Sequence, residues 1–254
     1  MSRTEALTQA LLRARREQRP ADAAAFADAL ADGDEAYAVQ RAVAAGMRWF
    51  DGGVPQYWKS GGPSRESALT HAPLPPAGVW ASPADARTWP FTSRSIEAEL
   101  ALRLARPVDA ALAASLDREG AAALIDAMAV SIEIVDSRWT QGMGAAPLLR
   151  LADLQTHGAL VLGAWLPFAE RDWSAQACRV VIGERAPVER RGTHTLGGPT
   201  WGLRDWLVHA TRDGAVLPAG AVVTTGTWCG VLPASAGEHV RVDFDGIGHA
   251  EVQL

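Results

Sequence analysis

A run of ten residues in the first half of the chain alternates so regularly that it constrains the whole fold. The run spans residues 95–104 and reads SIEAELALRL, with an apolar residue at every second position. Because successive side chains of a strand point to opposite faces, this period of two predicts a β-strand. Glu97 and Glu99 would then project from one face, about 7 Å apart at the backbone. The fold must bury the apolar face of this strand and also compensate two neighbouring carboxylates on the other.

A divalent cation would provide that compensation. Mg²⁺ or Mn²⁺ prefers carboxylate oxygens and keeps water ligands that a substrate can displace. Glu133 is the best candidate for a third ligand, because it lies inside the β-forming run VSIEIV of residues 130–135. Asp136 is the competitor, but its parity places it on the other face of that strand, where Arg138 offers a local partner.

Two purely structural explanations of these carboxylates stay open at this stage. Glu97 and Glu99 could form the solvated face of an edge strand, since two acidic residues at this spacing are common. Glu133 could instead form a buried ion pair with Arg138 or Lys59, because a lone carboxylate inside an apolar run needs a partner.

The rest of the chain predicts helices first and strands later. Helices are predicted over 4–16, over 35–47 with Asp34 as the cap, over 117–127 and over 200–211. Strands are predicted over 95–104, 130–135, 159–165, 178–182, 221–225, 239–244 and 250–254. The Gly- and Pro-rich stretch 58–90 predicts loops with short strands. This order favours an α+β fold over a doubly wound sheet, with a helical segment at 1–55 and a main domain at 56–254.

The composition narrows the class of protein. The net charge is −5 without a basic cluster, so a nucleic-acid partner is not expected. No run of about 18 apolar residues and no signal-peptide pattern is found, so neither a membrane partner nor secretion is expected. The two cysteines, Cys178 and Cys229, are too few for a disulfide framework, and a reducing cytoplasm is the expected location. Most of the ten Trp residues should be structural.

Several segments resemble, in the same order, the motifs of one enzyme family. The block around Glu97 and Glu99 is similar to an IEAEIA motif, and residues 132–138, IEIVDSR, are similar to LEIVDSR. The other matching segments are EAYAVQ at 35–40, YWK at 57–59, AD at 152–153 with GALVLG at 158–163, LGGP at 196–199, VTTG at 223–226 and GIG at 246–248. Together they resemble the 2-keto-4-pentenoate hydratase and 4-oxalocrotonate decarboxylase family of the fumarylacetoacetate hydrolase superfamily.

This resemblance implies a fold, a metal site and a reaction. The fold is a mixed β-roll or barrel of the fumarylacetoacetate hydrolase C-terminal type with an N-terminal helical segment. The ligands of an Mg²⁺ or Mn²⁺ ion are Glu97, Glu99 and Glu133. The expected activity is that of a hydratase acting on a 2-hydroxydienoate or 2-oxo acid, in a homo-oligomer. Decarboxylation of a 2-oxo acid, C–C hydrolysis of an acylpyruvate, and ligand binding without turnover are the alternatives.

The catalytic residues are predicted less directly. Lys59 matches the family's lysine, which implies proton transfer or binding of the substrate carboxylate. The family's Asp in the segment after this lysine is absent from LPPAGVW at 74–80, and His71 is a candidate substitute because of its ordinary pKa. Leu154 replaces the Asn of the family's ADN motif, with His157 three residues beyond, and Gly198 replaces a His.

The substrate pocket is predicted from residues near these motifs. Trp58, Trp80 and Trp228 lie close to the motif segments and indicate a substrate that is more apolar than a short dienoate, such as an aromatic one. His157, together with Thr225 and Gly226 of the VTTG segment, completes the predicted set of substrate-binding residues.

Overall fold

The computed structural model describes residues 2–254 and begins with two helices. Helix α1 (Arg3–Glu17) starts with a capping box, in which Ser2 and Glu5 exchange hydrogen bonds with each other's backbone. Helix α2 (Gly33–Met47) is capped by Asp32, whose side chain accepts a hydrogen bond from the Glu35 amide. The predicted cap, Asp34, is therefore wrong, because it already lies within the first turn. The other helices are α3 (Ala110–Ser115), α4 (Arg118–Ala122), α5 (Pro147–Ala152) and α6 (Leu203–Thr211).

The remaining elements are strands, several of them short. They are β1 (Tyr57–Gly61), β2 (Thr70–Pro73), β3 (Val79–Ala81), β4 (Ala84–Asp85), β5 (Ser95–Leu104), β6 (Ile125–Val135), β7 (His157–Leu162), β8 (Leu166–Pro167), β9 (Ala177–Ile182), β10 (Val188–Arg191), β11 (Val222–Thr224), β12 (Leu232–Pro233), β13 (His239–Phe244) and β14 (Gly248–Gln253). The predicted strands 95–104 and 239–244 agree with β5 and β13 at both ends.

The strands of residues 2–254 form two sheets. The larger sheet has nine strands in the order β2-β1-β11-β5-β6-β7-β3, with β12 paired to β5 and β8 paired to β6. It mixes parallel pairs, such as β1 with β11, and antiparallel pairs, such as β5 with β6. The smaller sheet has the order β10-β9-β13-β14-β4. Ile96 and Ile132 of the larger sheet pack in one core with Val240 and Val242 of the smaller one. The predicted α+β fold with a curled mixed sheet is confirmed.

Two predicted boundaries are wrong for identifiable reasons. The helix predicted over 117–127 ends at Ala122, because β6 starts at Ile125 and pairs with β5 along its whole length. The strand predicted over 159–165 ends at Leu162. At Gly163 the chain passes the carbonyl oxygen of His249, which would lie 2.4 Å from a Cβ atom at this position. Only glycine allows this approach.

The N-terminal helices pack against the segment that links β6 to β7. A second core joins Leu7 and Leu11 of α1, Val39 of α2, Trp139 and Leu149. The Trp139 indole donates a hydrogen bond to the Leu149 carbonyl, 3.0 Å away, which fixes α5 beneath the two helices. The division into a helical segment at 1–55, packed on a main domain at 56–254, stays a prediction. No helix within residues 2–254 combines the length and the hydropathy that spanning a membrane requires.

Candidate metal centre

The register of β5 and β6 brings three carboxylates together. Glu97 lies directly opposite Glu133 in this antiparallel pair, and Glu99 lies two residues further along β5. Directly opposed residues of an antiparallel pair share a face, as do residues two apart on one strand. One carboxylate oxygen from each of Glu97, Glu99 and Glu133 lies within 4.8 Å of the others. The backbone therefore produces the cluster, and the edge-strand explanation fails because β5 is an inner strand of the sheet.

The cluster is electrostatically costly without a cation. Burial, with repulsion from Glu133 and Glu99, raises the pKa of Glu97 from 4.5 to about 8. Burial and the charge of Glu133 raise the pKa of Glu99 from 4.5 to about 7. Desolvation and like charge both disfavour the ionised form of a carboxyl group. A bound divalent cation would remove both penalties.

Lys59 provides one positive charge beside the cluster. On β1 it pairs with Thr224, which pairs in turn with Ala101 on the same face of the sheet as Glu99. Its ammonium group lies 2.5 Å from Glu133 Oε1 and 3.3 Å from the Gln155 carbonyl oxygen. Although burial lowers the pKa of Lys59, the surrounding carboxylates raise it above its ordinary value. Lys59 is therefore protonated at neutral pH in the metal-free site, and the ion pair considered for Glu133 exists within the site.

Glu133 is fully buried and has one oxygen free. Its Oε1 is shared by Lys59 and by His157, whose Nδ1 is 3.0 Å away. Its Oε2 is buried and has no hydrogen-bond partner among residues 2–254. Burial alone would raise the pKa of Glu133, but Lys59 and His157 lower it below the ordinary value. An ionised, buried oxygen without a donor is a position at which a cation would be expected.

Glu99 is held by Thr224, which was not among the predicted site residues. Its Oε2 accepts a hydrogen bond from Thr224 Oγ1, which also lies 2.9 Å from Ser131 Oγ. The backbone of Gly226 also lowers the pKa of this carboxylate, against the larger effects of burial and of Glu133, which raise it. Gly226 has a φ of +104°, a backbone conformation that favours glycine. The strand register, which pairs Glu99 with Ser131, was the signal that could have found these partners.

The donor set fits a hard divalent cation. It consists of three carboxylates, and the pKa values of two of them, Glu97 and Glu99, are raised in the absence of a cation. The third, Glu133, has one oxygen with no hydrogen-bond partner among the described residues. Oxygen ligands of this kind suit Mg²⁺ or Mn²⁺ and leave coordination positions for water or substrate.

A cavity of about 500 Å³ opens beside the carboxylates. Its charged lining residues, within the described chain, are Glu97, Glu99, Lys59 and Arg150. Apolar lining residues come from α5 and the turn before it (Met143, Pro147, Leu148 and Leu151) and from the end of β6 (Val135). The size is typical of a pocket for a small organic molecule. One end therefore offers carboxylates and a lysine, and another part offers an arginine among apolar side chains.

Two predicted site residues lie on the other face of the sheet. Alternation along β1 directs Lys59 towards the carboxylates and directs Trp58 and Ser60 away from them. His71 lies opposite Ser60 and its Nδ1 is 3.0 Å from Ser60 Oγ, so it shares that outer face. Its ring packs against His209, with the ring centroids 4.6 Å apart. The positions of Trp58 and His71 therefore give no support to the substrate-binding and catalytic roles predicted for them.

The other two tryptophans are also separated from the carboxylates. Trp80 pairs with Val161, which pairs with Ile132, and Ile132 points away from the face that carries Glu133. Trp80 packs edge-on against Trp89, at a centroid distance of 5.0 Å. Trp228 is buried in the main core against Trp173 and Phe244. Proximity to a motif along the sequence did not predict the face on which an aromatic side chain lies.

The remaining predicted residues surround the site without all lining the cavity. Gly226 lines it, whereas Thr225 is buried and donates its hydroxyl to the Leu100 carbonyl. His157 lies behind Glu133 and not in the cavity wall. Asp136, the competing ligand, accepts hydrogen bonds from Ser93 and pairs with Arg138 at 3.3 Å, as its parity predicted.

Comparisons with known proteins identify the family and the fold. The family model described as "Fumarylacetoacetate (FAA) hydrolase C-terminal" matches residues 64–254. A search of curated proteins finds no match. The fold is similar to that of 4-oxalocrotonate decarboxylase from Pseudomonas putida G7, with a TM-score of 0.81, 18% identity, and coverage of 98% of this chain and 96% of that chain. That enzyme is seen in complexes with calcium and acetate and with magnesium and adipate.

A second solved structure shares a smaller part of the fold. It is 5-carboxymethyl-2-hydroxymuconate delta-isomerase from Mycobacterium smegmatis, with a TM-score of 0.55 and 18% identity. The similarity covers 79% of this chain and 78% of that one. At these identities the resemblance concerns the fold, and the chemistry has to be argued from the site.

Proposed function

The chain belongs to the fumarylacetoacetate hydrolase family, and on this premise we propose that it is a divalent-metal-dependent decarboxylase of a 2-oxo acid that carries a second carboxylate. One observation carries the proposal. Three carboxylates, with a buried and unpartnered oxygen on Glu133, lie next to a cavity whose other charged residues in the described chain are both cations, Lys59 and Arg150.

The proposed ion has one chemical role. Bound by Glu97, Glu99 and Glu133, a divalent cation would act as a Lewis acid for the 2-oxo group and so accept electron density from the carbon chain. The bond between the chain and the second carboxylate would break, its electron pair would pass along the carbon chain, CO₂ would leave, and the carbon chain would take up one proton from water.

The residues of the chain would orient the substrate. Lys59 uses two of its three N–H donors on Glu133 and on the Gln155 carbonyl, which leaves one for the first carboxylate of the substrate. Arg150 would bind the second carboxylate, since a guanidinium matches carboxylate geometry with two parallel hydrogen bonds. The apolar wall of α5 suits an alkyl or alkenyl chain between the two ends.

Decarboxylation needs fewer groups than hydration. Hydration of a 2-hydroxydienoate requires a residue that activates water and returns a proton. The carboxylates that line the cavity in the described chain are both assigned to the metal, and Lys59 is already engaged by Glu133 and by the Gln155 carbonyl. Loss of CO₂ instead needs an electron acceptor, which the cation would provide, and a proton from water. We therefore rank decarboxylation above the hydratase activity expected from the sequence.

The metal part of the proposal is tested by titrating Mg²⁺ and Mn²⁺ into the chelator-treated protein, with and without oxalate. We expect saturable binding that oxalate tightens and that Glu133→Gln abolishes, with Glu184→Gln as an exposed control. Absence of binding by the wild type would refute the hydratase, decarboxylase and hydrolase assignments together.

The reaction is tested separately on the Mg²⁺-loaded protein. The panel contains oxaloacetate and 2-oxohex-3-enedioate, assayed for CO₂, and 2-hydroxypenta-2,4-dienoate, assayed for loss of ultraviolet absorbance. CO₂ release supports the proposal, and dienoate hydration without CO₂ release supports the hydratase. Metal binding without turnover of any panel member supports a ligand-binding protein or an acylpyruvate hydrolase. The homo-oligomer remains a proposal from the family resemblance, and light scattering after gel filtration tests it.

A further inference from the structure

The backbone is strained next to the metal site. Leu154, Gln155 and Thr156 have φ values of 54°, 55° and 60°, and none of them is glycine. The left-handed region is unfavourable for residues with a Cβ atom, and most of all for a β-branched residue such as Thr156. Such strain persists where the surrounding contacts determine the conformation, and it is concentrated at functional sites. Three consecutive residues of this kind require a structural reason.

This left-handed turn ties α5, β6 and β1 together. The Thr156 amide donates to the Asp153 carbonyl at the end of α5, at 3.0 Å. The Thr156 carbonyl accepts from the Asp136 amide, just after β6, at 2.8 Å. The Gln155 carbonyl accepts from Lys59 of β1 at 3.3 Å. The turn therefore has a fixed position relative to the ion pair of Lys59 and Glu133.

His157 follows the turn directly and contacts a proposed metal ligand. It is 2% exposed, and its Nδ1 lies 3.0 Å from Glu133 Oε1. The Glu133 carboxylate can only accept, so Nδ1 carries the hydrogen and donates it. The Nε2 atom of His157 is buried and lacks a hydrogen-bond partner within residues 2–254. The His157 ring therefore makes a hydrogen bond through Nδ1 alone, and that bond is to Glu133.

We propose that His157 is a positioning residue for the metal site, and that the left-handed turn exists to deliver it. His157 and Lys59 donate two hydrogen bonds to Oε1 of Glu133. These two bonds fix the carboxylate in the orientation that presents Oε2 to the cation. The role rests on the proposed function, because it acts only through Glu133. His157, which was predicted to bind substrate, instead orients the carboxylate of the proposed metal ligand Glu133.

The test compares two substitutions of His157 by isothermal titration of Mg²⁺ into the chelator-treated full chain. In His157→Asn the side-chain amide can donate from nearly the same place as Nδ1, whereas His157→Leu has similar bulk and no donor. We expect the Leu variant to bind Mg²⁺ roughly 10- to 100-fold more weakly, the range typical of lost outer-shell partners. The Asn variant should recover most of that affinity.

The melting temperature without metal separates positioning from folding. His71→Leu is the matched control, since it removes another buried histidine on the opposite face of the sheet. It should lower the melting temperature and leave the Mg²⁺ affinity unchanged. Equal Mg²⁺ affinities for wild type, His157→Asn and His157→Leu would overturn the positioning role while leaving the metal site intact. A wild type that binds no Mg²⁺ would instead overturn the proposed function and this role together.

Discussion

Replacing Glu97 by glutamine should stabilise the metal-free protein and at the same time remove its response to metal. The carboxylate of Glu97 is destabilised by burial and by the charges of Glu133 and Glu99. Glutamine has nearly the same shape and no charge, so it relieves the repulsion without opening a cavity. The same change removes one of the three proposed ligands. A residue that serves only the fold would not produce these two opposite effects.

The size of the effect follows from the pKa of Glu97, which is about 8 in the folded protein and 4.5 without the fold. A raised pKa of this kind stabilises the folded state below pH 4.5, and the stability is lost as the pH rises towards 8. At pH 7 the penalty is about 3 kcal/mol at most, because one pKa unit corresponds to about 1.4 kcal/mol. Since Glu99 shares the repulsion, we expect a gain of about 2–3 kcal/mol, or roughly 5–10 °C in melting temperature.

The assay is thermal unfolding of wild type, Glu97→Gln and the exposed control Glu184→Gln, each with chelator and with Mg²⁺, between pH 5 and 8. Without metal, the advantage of Glu97→Gln over the wild type should grow with pH and then level off near pH 8. With Mg²⁺ at about 100 times its dissociation constant, the wild type should gain about 2.7 kcal/mol, and the variant should gain nothing.

Either of two results would refute this reasoning. Loss of stability in metal-free Glu97→Gln at pH 7 would mean that the carboxylate contributes a favourable contact and not repulsion. An undiminished Mg²⁺ shift in the variant would mean that the cation binds elsewhere. The Glu184→Gln control should follow the wild type in both conditions, which excludes a general effect of net charge.

Three further predictions follow from the same contacts. Lys59→Met should destabilise the metal-free protein by about 3 kcal/mol in chemical denaturation, because it leaves Glu133 buried without its cation. Burial lowers the pKa of His71 from 6.5 to about 3, so the stability that the neutral ring contributes is present above pH 6.5 and is lost as the pH falls. Between pH 6.5 and 5 the free energy of unfolding of the wild type should fall by about 2 kcal/mol more than that of His71→Leu, as measured by urea unfolding. Arg150→Met in the Mg²⁺-loaded protein should reduce the affinity for 2-oxoadipate about 10-fold or more in titration calorimetry, and should leave the affinity for 2-oxohexanoate unchanged. The exposed control Arg106→Met should bind both ligands as the wild type does.

The metal ligands could be predicted because they lie on the most regular part of the chain. Strict alternation predicted β5 at both ends and placed Glu97 and Glu99 on one face. Glu133 was recognised as a polar residue within a β-forming run, and its pairing with Glu97 then follows from strand register. The start of β6 was missed, since IDAMA at 125–129 has little β-branched character and forms a strand through its pairing with β5.

The tryptophan predictions did not use strand parity, which the sequence pattern already contained. Lys59 and Trp58 are neighbours on β1, and neighbours on a strand face opposite sides. Once Lys59 is assigned to the site, Trp58 is excluded from the same face. The same parity argument separates Trp80 from Glu133 across three strands. Distance along the sequence from a motif is therefore a weaker guide than strand parity.

The residues that would decide the chemistry lie in the irregular segment between β6 and β7. Arg150 comes from a six-residue helix, and Gln155 and His157 come from a left-handed turn and the residue after it. No periodicity predicts such a conformation, because it depends on hydrogen bonds to β1 and β6 that form only in the folded chain. A cation site on regular strands can thus stay constant while this segment changes the far wall of the cavity. Substrate choice in this protein should accordingly respond to substitutions between residues 143 and 157, and metal affinity to those on β5 and β6, apart from His157, which acts on Glu133.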